Sequence, residues 1–263
     1  MAIKLITDTI LTSIANAIRA KTGKSASMTP ADMATEIASI GGQTFDWSQV
    51  NGISFYGGKV TSSTFDVTGI PTGDFTNFSN CFYWNGSMTT FDGTGWDTSS
   101  ATDMNNFFSL CSNLASVDVS TFDVSHATNL SSFFSYCTKL TSLDLAAFHT
   151  DAMTNMANMF RNCSTLTSVN LWNFDTTHVT ATGMNTSFTN CSRLTDIIWS
   201  QKSTVQPLVT TPEAAGITAT MNFYVPDNLV SSYQAATNWA TISSQIHGIS
   251  DCPAAVKALY NIS

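Results

Sequence analysis

Four cysteines recur at nearly constant spacing through the middle of the chain, each at the same place in a repeated stretch. Cys111, Cys137, Cys163 and Cys191 stand 26, 26 and 28 residues apart. The units read NNFFSLCSNLASVDVSTFDVSHATNL from residue 105, SSFFSYCTKLTSLDLAAFHTDAMTNM from 131 and ANMFRNCSTLTSVNLWNFDTTHVTATGM from 157. A period of this length is typical of proteins that stack one small supersecondary unit on the next.

Two further copies flank these units. One begins NTSFTNCSRLTDIIWSQ at Asn185. An earlier, degenerate copy surrounds Cys81, and aligning it on that cysteine requires four extra residues before Trp96-Asp97-Thr98-Ser99 rejoins the repeat. The period therefore extends over most of the middle of the chain.

Each unit has apolar positions that predict one short strand and one short helix. After the cysteine, apolar and polar residues alternate, the period of a strand with one buried face, in the trios Leu114/Val117/Val119, Leu140/Leu143/Leu145, Leu166/Val169/Leu171 and Leu194/Ile197/Trp199. Before the cysteine, apolar residues four apart would share one face of a helix, in the pairs Met104/Phe108, Leu130/Phe134, Met156/Phe160 and Met184/Phe188.

A second aromatic column follows the strand and consists of Trp96, Phe122, Phe148 and Phe174. No single unit can bury such columns alone, whereas stacking buries each residue against its copy in the next unit. The predicted fold is an α/β solenoid: a leucine-rich-repeat-like stack of strand-plus-short-helix units of about 26 residues each, with an N-terminal helical appendage.

Several stretches resemble leucine-rich repeat proteins of the BspA-like type. They are Phe122-Asp123-Val124-Ser125, Met153-Thr154-Asn155-Met156 and Met159-Phe160-Arg161-Asn162-Cys163. The resemblance covers about residues 74–200, and the segment from Tyr224-Val225-Pro226-Asp227 to Trp239 resembles the closing element of such arrays. The resemblance implies surface adhesion or recognition rather than catalysis.

Charge and hydropathy exclude several classes of partner. The chain has a net charge of −8, and its acidic excess lies after residue 45 without a basic stripe, which argues against nucleic-acid binding. The N-terminal apolar stretch is short and is interrupted by Asp8 and Thr9, so no signal peptide is predicted. No segment has the roughly 20 consecutive apolar residues that would insert into a membrane.

The N-terminal residues predict two amphipathic helices. Ile6, Ile10, Ile14 and Ile18 are spaced by four and give one helix an apolar row, from about Asp8 to Lys21. A second helix is predicted from the N-cap Thr29 to Ile40. We expect this isoleucine row to attach the chain to another protein or to further copies of itself, as a homo-oligomer.

Part of this segment resembles the N-terminal segment of tail- and baseplate-associated proteins of phages that infect Gram-positive bacteria. The likeness rests on Ala17-Ile18-Arg19-Ala20-Lys21-Thr22-Gly23-Lys24 and Met28-Thr29-Pro30-Ala31-Asp32-Met33. It implies a virion tail protein that is made in the host cytoplasm and contacts other tail or baseplate proteins. The predicted division is 1–42 for attachment, 43–80 and 201–263 for capping, and 81–200 for the repeats.

The cysteines and acidic residues could in principle carry chemistry. The cysteines share a face with phenylalanines, and the sequence contains no C-x-x-C pair. Both observations favour buried free thiols over disulfides between units or a metal site. Asp118 and Asp144 are predicted on adjacent strands, about 5 Å apart at the backbone, near the carboxyl spacing of retaining glycosidases. Repetition alone produces such pairs, so no enzyme, cofactor or metal is predicted.

The outward residues of the strands form the predicted ligand-binding face. It combines short polar groups with one large aromatic ring and comprises Asp118, Ser142, Asp144, Ser168, Asn170 and Trp172. Such a face suits a sugar, whose ring stacks on the indole while its hydroxyls meet the polar groups. Alternatively, Trp172 folds over a neighbouring loop and binds nothing, and recognition falls to the loop Tyr83-Trp84-Asn85-Gly86.

Three functions follow from these patterns, in order of preference. The first is a phage tail-associated structural protein whose repeat domain recognises the host cell surface through a glycan or protein. The second is a BspA-like adhesin or interaction module on the bacterial cell surface. The third is a glycan-cleaving enzyme.

Overall fold

A computed structural model describes residues 4–7, 50–54 and 72–262. In these ranges the strands are β1 (Lys4–Thr7), β2 (Val50–Ser54), β3 (Thr90–Asp92), β4 (Ser116–Asp118), β5 (Ser142–Asp144), β6 (Ser168–Leu171), β7 (Asp196–Trp199), β8 (Asn222–Val225) and β9 (Ile246–Gly248). The helices are α1 (Pro212–Ala215), α2 (Val230–Ala235) and α3 (Ala254–Leu259), with 3-10 turns at Thr72–Asp74, Asp227–Leu229, Trp239–Gln245 and Ile249–Asp251.

The strands pair in parallel and one repeat apart. β1 pairs with β2, β3 pairs with β4, and β5 to β9 form a five-stranded sheet in sequence order. In the sheet Val169 lies between Leu143 and Ile197, the residues at the same position in the neighbouring repeats. The repeats are therefore stacked strand units, which we number 1 (76–101), 2 (102–127), 3 (128–153), 4 (154–181) and 5 (from 182).

A run of turns replaces the short helix predicted before each cysteine. In unit 2 the N–H groups of Met104, Asn106, Phe108 and Leu110 donate to carbonyls of unit 3 at 2.8–2.9 Å. Between them, the Ser109 N–H closes a tight local turn by donating to the Asn106 carbonyl at 3.2 Å. These bonds between units use the N–H groups that a helix would need internally, so the helix prediction is wrong for this segment. We call it the turn segment of each unit.

The first unit follows the same frame as the others. Phe82 N–H donates to the Phe107 carbonyl just as Phe108 N–H donates to the Phe133 carbonyl, so the first pair lies 26 residues before the second. Asn85, not Cys81, therefore occupies the cysteine position of unit 1, and Cys81 takes the place of Phe107. The four-residue insertion predicted from the Cys81 alignment is wrong.

The predicted apolar columns form one continuous core. Phe82, Phe108, Phe134, Phe160 and Phe188 stack with successive ring centroids 5.6, 5.6, 6.3 and 5.6 Å apart. Strand residues close the core from the other side, as where the Phe91 ring of β3 lies 4.8 Å from that of Phe108. The turn segments thus face the strands across the core.

Each repeat cysteine is a buried free thiol, as the sequence predicts. The Sγ atoms of Cys111, Cys137, Cys163 and Cys191 lie 2.9–3.2 Å from a phenylalanine carbonyl of the preceding unit. Burial raises the pKa of Cys111 and of Cys191 to about 12. The thiolate that reacts with alkylating or disulfide reagents is therefore scarce in the folded protein.

Thiol labelling checks this arrangement. At pH 8 we expect a disulfide reagent to modify the four repeat cysteines only as fast as the protein unfolds, and reductant to leave the melting temperature unchanged. The same thiols in urea serve as the fully reactive control. Fast labelling of the native protein, or a lower melting temperature in reductant, would contradict the buried thiol column.

The residues after unit 5 extend and close the stack. β8 and β9 continue the sheet, and Trp239 packs beneath them with its ring 5.1–5.5 Å from those of Trp199, Phe223 and Tyr233. Trp239 Nε1 donates to the Gln206 carbonyl at 2.9 Å. This second set of buried rings covers the end of the repeat core.

The N-terminal predictions fall mostly outside the described residues. Ile6 lies in β1, so it does not belong to the predicted helical row, whereas Ile10, Ile14, Ile18 and both predicted helices lie outside the described ranges. The β1–β2 pair joins a strand of the predicted attachment segment 1–42 to one of the predicted capping region 43–80. Within the described ranges, no helix has the length and apolar character needed to cross a bilayer.

Candidate functional site

The strand ladder is interrupted between units 2 and 3. β4 pairs with β3 and β5 pairs with β6, but β4 and β5 do not pair with each other. The same two units remain joined on the opposite side, where the Phe108 N–H donates to the Phe133 carbonyl at 2.8 Å. The units therefore separate on the strand side alone.

This separation creates a cleft on the strand side of the molecule. The cleft has a volume of about 380 Å³ and is lined by Val117, Asp118, Val119, Ser120, Asp144, Ala146 and Ala147. Val117 forms an apolar part of its wall and is half-buried, whereas its counterparts Phe91, Leu143 and Val169 are buried. An apolar surface flanked by polar groups is the usual make-up of a ligand site.

Two exposed carboxylates line the cleft, one from each side. Asp118 Oδ1 accepts a hydrogen bond from the Ser120 N–H at 2.9 Å. Asp144 Oδ1 accepts from the Ala146 N–H at 3.1 Å and from Asn170 Nδ2 at 2.9 Å. These bonds fix both carboxylates while using one oxygen of each. In the described part of the chain, Oδ2 of each has no hydrogen-bond partner and is available to a ligand.

The strand pairing corrects the predicted geometry of these two aspartates. Asp118 lies opposite Asp92 and Asp144 lies opposite Asn170, so the two carboxylates are not neighbours on paired strands. The backbone separation of about 5 Å expected for adjacent strands does not apply to them. The sheet therefore does not impose the spacing that suggested a glycosidase pair.

Of the other predicted site residues, Ser142 lies on β5, whereas Ser168, Asn170 and Trp172 lie on or directly after β6, partly under the C-terminal segment. Ser142 is half-buried, and Ser168 and Asn170 are buried. Ser168 Oγ and Tyr260 OH share a hydrogen bond of 2.8 Å. The alternating pattern had predicted Ser168 and Asn170 on an open face. This prediction is wrong, because both residues are buried.

Trp172 packs against the protein itself. It is half-buried and contacts a cluster formed by Ile198, Tyr224, Cys252 and Tyr260. The backbone N–H of Trp172 donates to Asn170 Oδ1 at 3.1 Å. The C-terminal segment covers this part of the sheet because the outward side chains of Ile198 and Tyr224 are apolar and gain from leaving water.

Sequence reasoning missed both the cleft and the C-terminal cover. One signal for the cover was Ile198, an apolar residue at an outward strand position. The cleft has no comparable signal, since β4 and β5 have nearly the same sequence as their paired neighbours. Among the described residues, no group of three or more His, Cys, Asp or Glu side chains could hold a metal ion.

One protein-family model matches the repeats. The family model described as "Mycoplasma protein of unknown function, DUF285" matches residues 76–200, from unit 1 to the end of β7. This similarity agrees with the resemblance to BspA-like surface repeat proteins. No curated protein and no solved structure matches the chain. The likeness of the N-terminal segment to phage tail proteins stays a prediction.

Proposed function

We propose that this protein recognises a cell surface and that its ligand binds in the cleft between β4 and β5. The observation that carries the proposal is the break in an otherwise regular ladder. Between β3 and β9, all of which lies in the described part, the strands pair in order except at this one place. There the break exposes two fixed carboxylates beside an apolar wall.

A glycan fits this cleft better than a charged or purely apolar ligand. Carboxylate oxygens accept hydrogen bonds from sugar hydroxyls, which are donors on every face of the ring. Val117, Ala146 and Ala147 offer small apolar surfaces to the C–H groups of the same ring. A surface protein whose extended loop carries hydroxyl side chains is the second ligand that this chemistry accepts.

The proposed setting is the tail of a phage. In this proposal the described units belong to a leucine-rich-repeat-like solenoid, and the N-terminal segment attaches it to other tail or baseplate proteins. The support is the sequence resemblance of residues 17–33. The repeats would then be carried to the host surface on the virion.

A bacterial surface adhesin is the second candidate, and the family match favours it. The matched residues 76–200 are the repeats, and the matched family is related to BspA-like surface repeat proteins. Antibody labelling separates the two settings: a tail protein is found on purified virions, whereas an adhesin is found on intact bacteria. Labelling of neither would remove both settings.

Replacing both cleft aspartates with asparagine tests the binding site. We expect Asp118→Asn with Asp144→Asn to weaken binding to purified Gram-positive cell walls about tenfold to hundredfold, because hydrogen bonds to charged groups are the stronger ones. The melting temperature should stay nearly unchanged, since asparagine retains the side-chain oxygen that accepts the backbone N–H of Ser120 or Ala146. Co-sedimentation with a panel of cell walls measures the binding.

Asp92 provides the matched control. It occupies the same strand position in unit 1, and its Oδ1 accepts from the Thr94 N–H at 2.9 Å, but β3 is paired with β4 and Asp92 does not line the cleft. Asp92→Asn should bind cell walls as the unmodified protein does. Equal losses in both variants would indicate a general charge effect, and undiminished binding by the double variant would place the site elsewhere.

A further inference from the structure

One backbone position in every unit adopts a conformation that suits asparagine but is occupied by large apolar residues in three of five units. It lies at the end of the turn segment, directly before the cysteine position. Its φ angle is between 60° and 64° in all five units, at Trp84, Leu110, Tyr136, Asn162 and Asn190. We call it the left-handed column.

Hydrogen bonds on both sides hold this conformation. The N–H of Leu110 donates to the Ser135 carbonyl in the next unit at 2.8 Å, and its carbonyl accepts from the Ser112 N–H at 2.9 Å. Tyr136 repeats the pattern with the Arg161 carbonyl at 2.7 Å and the Thr138 N–H at 3.0 Å. The stacking of units therefore sets the positive φ, whatever side chain is present.

Asparagine tolerates this region, whereas bulky side chains adopt it at a cost. Units 4 and 5 carry the expected asparagine. Units 1 to 3 carry tryptophan, leucine and tyrosine, which make the same backbone less favourable. Strain of this kind persists where the surrounding structure imposes it and often marks a functional site.

Burial accounts for these apolar side chains only in part. Trp84 is 58 % exposed and Tyr136 is 39 % exposed, and Leu110 between them is half-buried. In the described part of the chain, Leu259 is the one other large hydrophobic residue with comparable exposure. Three consecutive units thus place apolar groups at the surface in a backbone conformation that disfavours them.

We infer that Trp84, Leu110 and Tyr136 form a second binding surface, which takes a neutral saccharide chain lying across units 1 to 3. Stacked units repeat about every 5 Å, so the backbone positions of Trp84 and Tyr136 lie about 10 Å apart, roughly the length of a disaccharide. Each ring offers a flat apolar face to the C–H groups of a sugar. The ligand class rests on the proposed function, whereas the surface itself rests on the column.

The charges along this surface favour a neutral ligand. Within three residues of Trp84, Leu110 and Tyr136 along the chain, Lys139 is the single charged side chain, although the whole chain has a net charge of −8. A basic peptide would find no carboxylate there, and a nucleic acid or anionic membrane would find one lysine. Close to Leu110 in sequence, Ser112 and Asn113 are exposed; Asn113 Nδ2 donates to the Gly86 carbonyl at 2.6 Å, and its Oδ1 and the Ser112 hydroxyl suit sugar hydroxyls.

The column itself suggests the test, because the chain already uses asparagine there. We expect Trp84→Asn and Tyr136→Asn each to raise the melting temperature by about 2–4 °C through relief of the left-handed strain. The same variants should weaken saccharide binding at least about tenfold through loss of the ring surface. Calorimetry with N-acetylglucosamine oligomers and neutral glucan fragments measures binding, and a heparin fragment is the anionic comparison.

Two controls separate this inference from the proposed function. Leu259→Asn removes an exposed apolar residue outside the column and should leave binding unchanged. Asp118→Asn with Asp144→Asn tests the cleft, which faces the turn segments across the core. Binding that survives the column changes but fails in the cleft variant would overturn the inference and leave the proposed function standing.

Other outcomes also decide the matter. A fall of several degrees in the melting temperature of Trp84→Asn and Tyr136→Asn would mean that the rings serve packing, and the inference would fail. No binding of the unmodified protein to any neutral saccharide, or stronger binding to heparin, would overturn it as well. Binding that depends on the column but not on the cleft would support this surface and contradict the cleft as the ligand site.

Discussion

Replacing Phe134 with alanine should lower the free energy of unfolding by about 3–5 kcal/mol and divide the unfolding transition in two. The ring is fully buried and stacks between Phe108 and Phe160, with centroids 5.6 and 6.3 Å away. Its removal leaves a cavity that touches the units on both sides. Urea unfolding followed by circular dichroism and by tryptophan fluorescence measures both effects.

The division into two transitions follows from where Phe134 lies. In a stack of units, cooperativity depends on the contacts between neighbours. Units 2 and 3 lack strand pairing, so the turn segments and the ring pairs Phe108–Phe134 and Phe107–Phe133 couple them. Loss of one ring pair at this boundary should let units 1 and 2 unfold apart from the rest.

Phe160→Ala is the matched comparison. Phe160 is equally buried and stacks between Phe134 and Phe188, but β5, β6 and β7 remain paired across the boundaries on either side. It should cost a similar free energy while unfolding in a single transition. Two transitions in both variants, or one in both, would show that the missing strand pairs do not weaken the boundary.

The sequence predicted most of what depends on the period. A column of identical residue types must lie in one line if units stack, so the buried phenylalanines, the free cysteines and the parallel strands followed from their spacing. The register between β5 and β6, with Leu143 opposite Val169, is the one that the repeat requires. These features are local to a unit and its neighbour.

The helix was mispredicted because two structures share one apolar pattern. Residues four apart, such as Met104 and Phe108, face inward in a helix and also in the observed run of turns. The overlooked signal was the residue midway between them, Asn106. It and its equivalents in the other units adopt positive φ, at Asn80, Asn106, Ser132, Asn158 and Thr186. Asparagine favours that conformation and breaks helices.

The open exposure predicted for Ser168, Asn170 and Trp172 was wrong because their surroundings come from distant parts of the chain. A strand pattern specifies which side chains point outward, but not which segment later covers them. Tyr260 covers Ser168 from a position 92 residues away in sequence. The cleft between β4 and β5 is similarly invisible, since it depends on how whole units lean apart and not on any one side chain.

Replacing Tyr260 with alanine should lower the free energy of unfolding by about 3–5 kcal/mol and uncover the sheet face beneath it. Tyr260 is 6 % exposed and belongs to the cluster of Ile198, Tyr224 and Cys252 against which Trp172 packs. Without its ring, Ser168 and Trp172 become accessible to water. Quenching of tryptophan fluorescence by acrylamide should therefore increase in the folded variant, and a Trp172→Phe background should remove the increase.

Tyr260→Phe separates the hydroxyl from the ring. It keeps the packing but leaves Ser168 Oγ without the 2.8 Å bond, so we expect a loss of about 1 kcal/mol. Burial also raises the pKa of Tyr260 to about 12. Because the unfolded tyrosine ionises near pH 10 while the folded one stays neutral, the unfolded state binds fewer protons and stability falls as pH rises from about 10 to 12.

That alkaline fall should be shallower in Tyr260→Phe, though not absent, because burial also raises the pKa of Tyr233 to about 12. An unchanged slope in Tyr260→Phe, together with unchanged acrylamide quenching in Tyr260→Ala, would mean that the C-terminal segment does not cover the sheet. Ser168, Asn170 and Trp172 would then regain their place beside Asp144 as an open surface for a ligand.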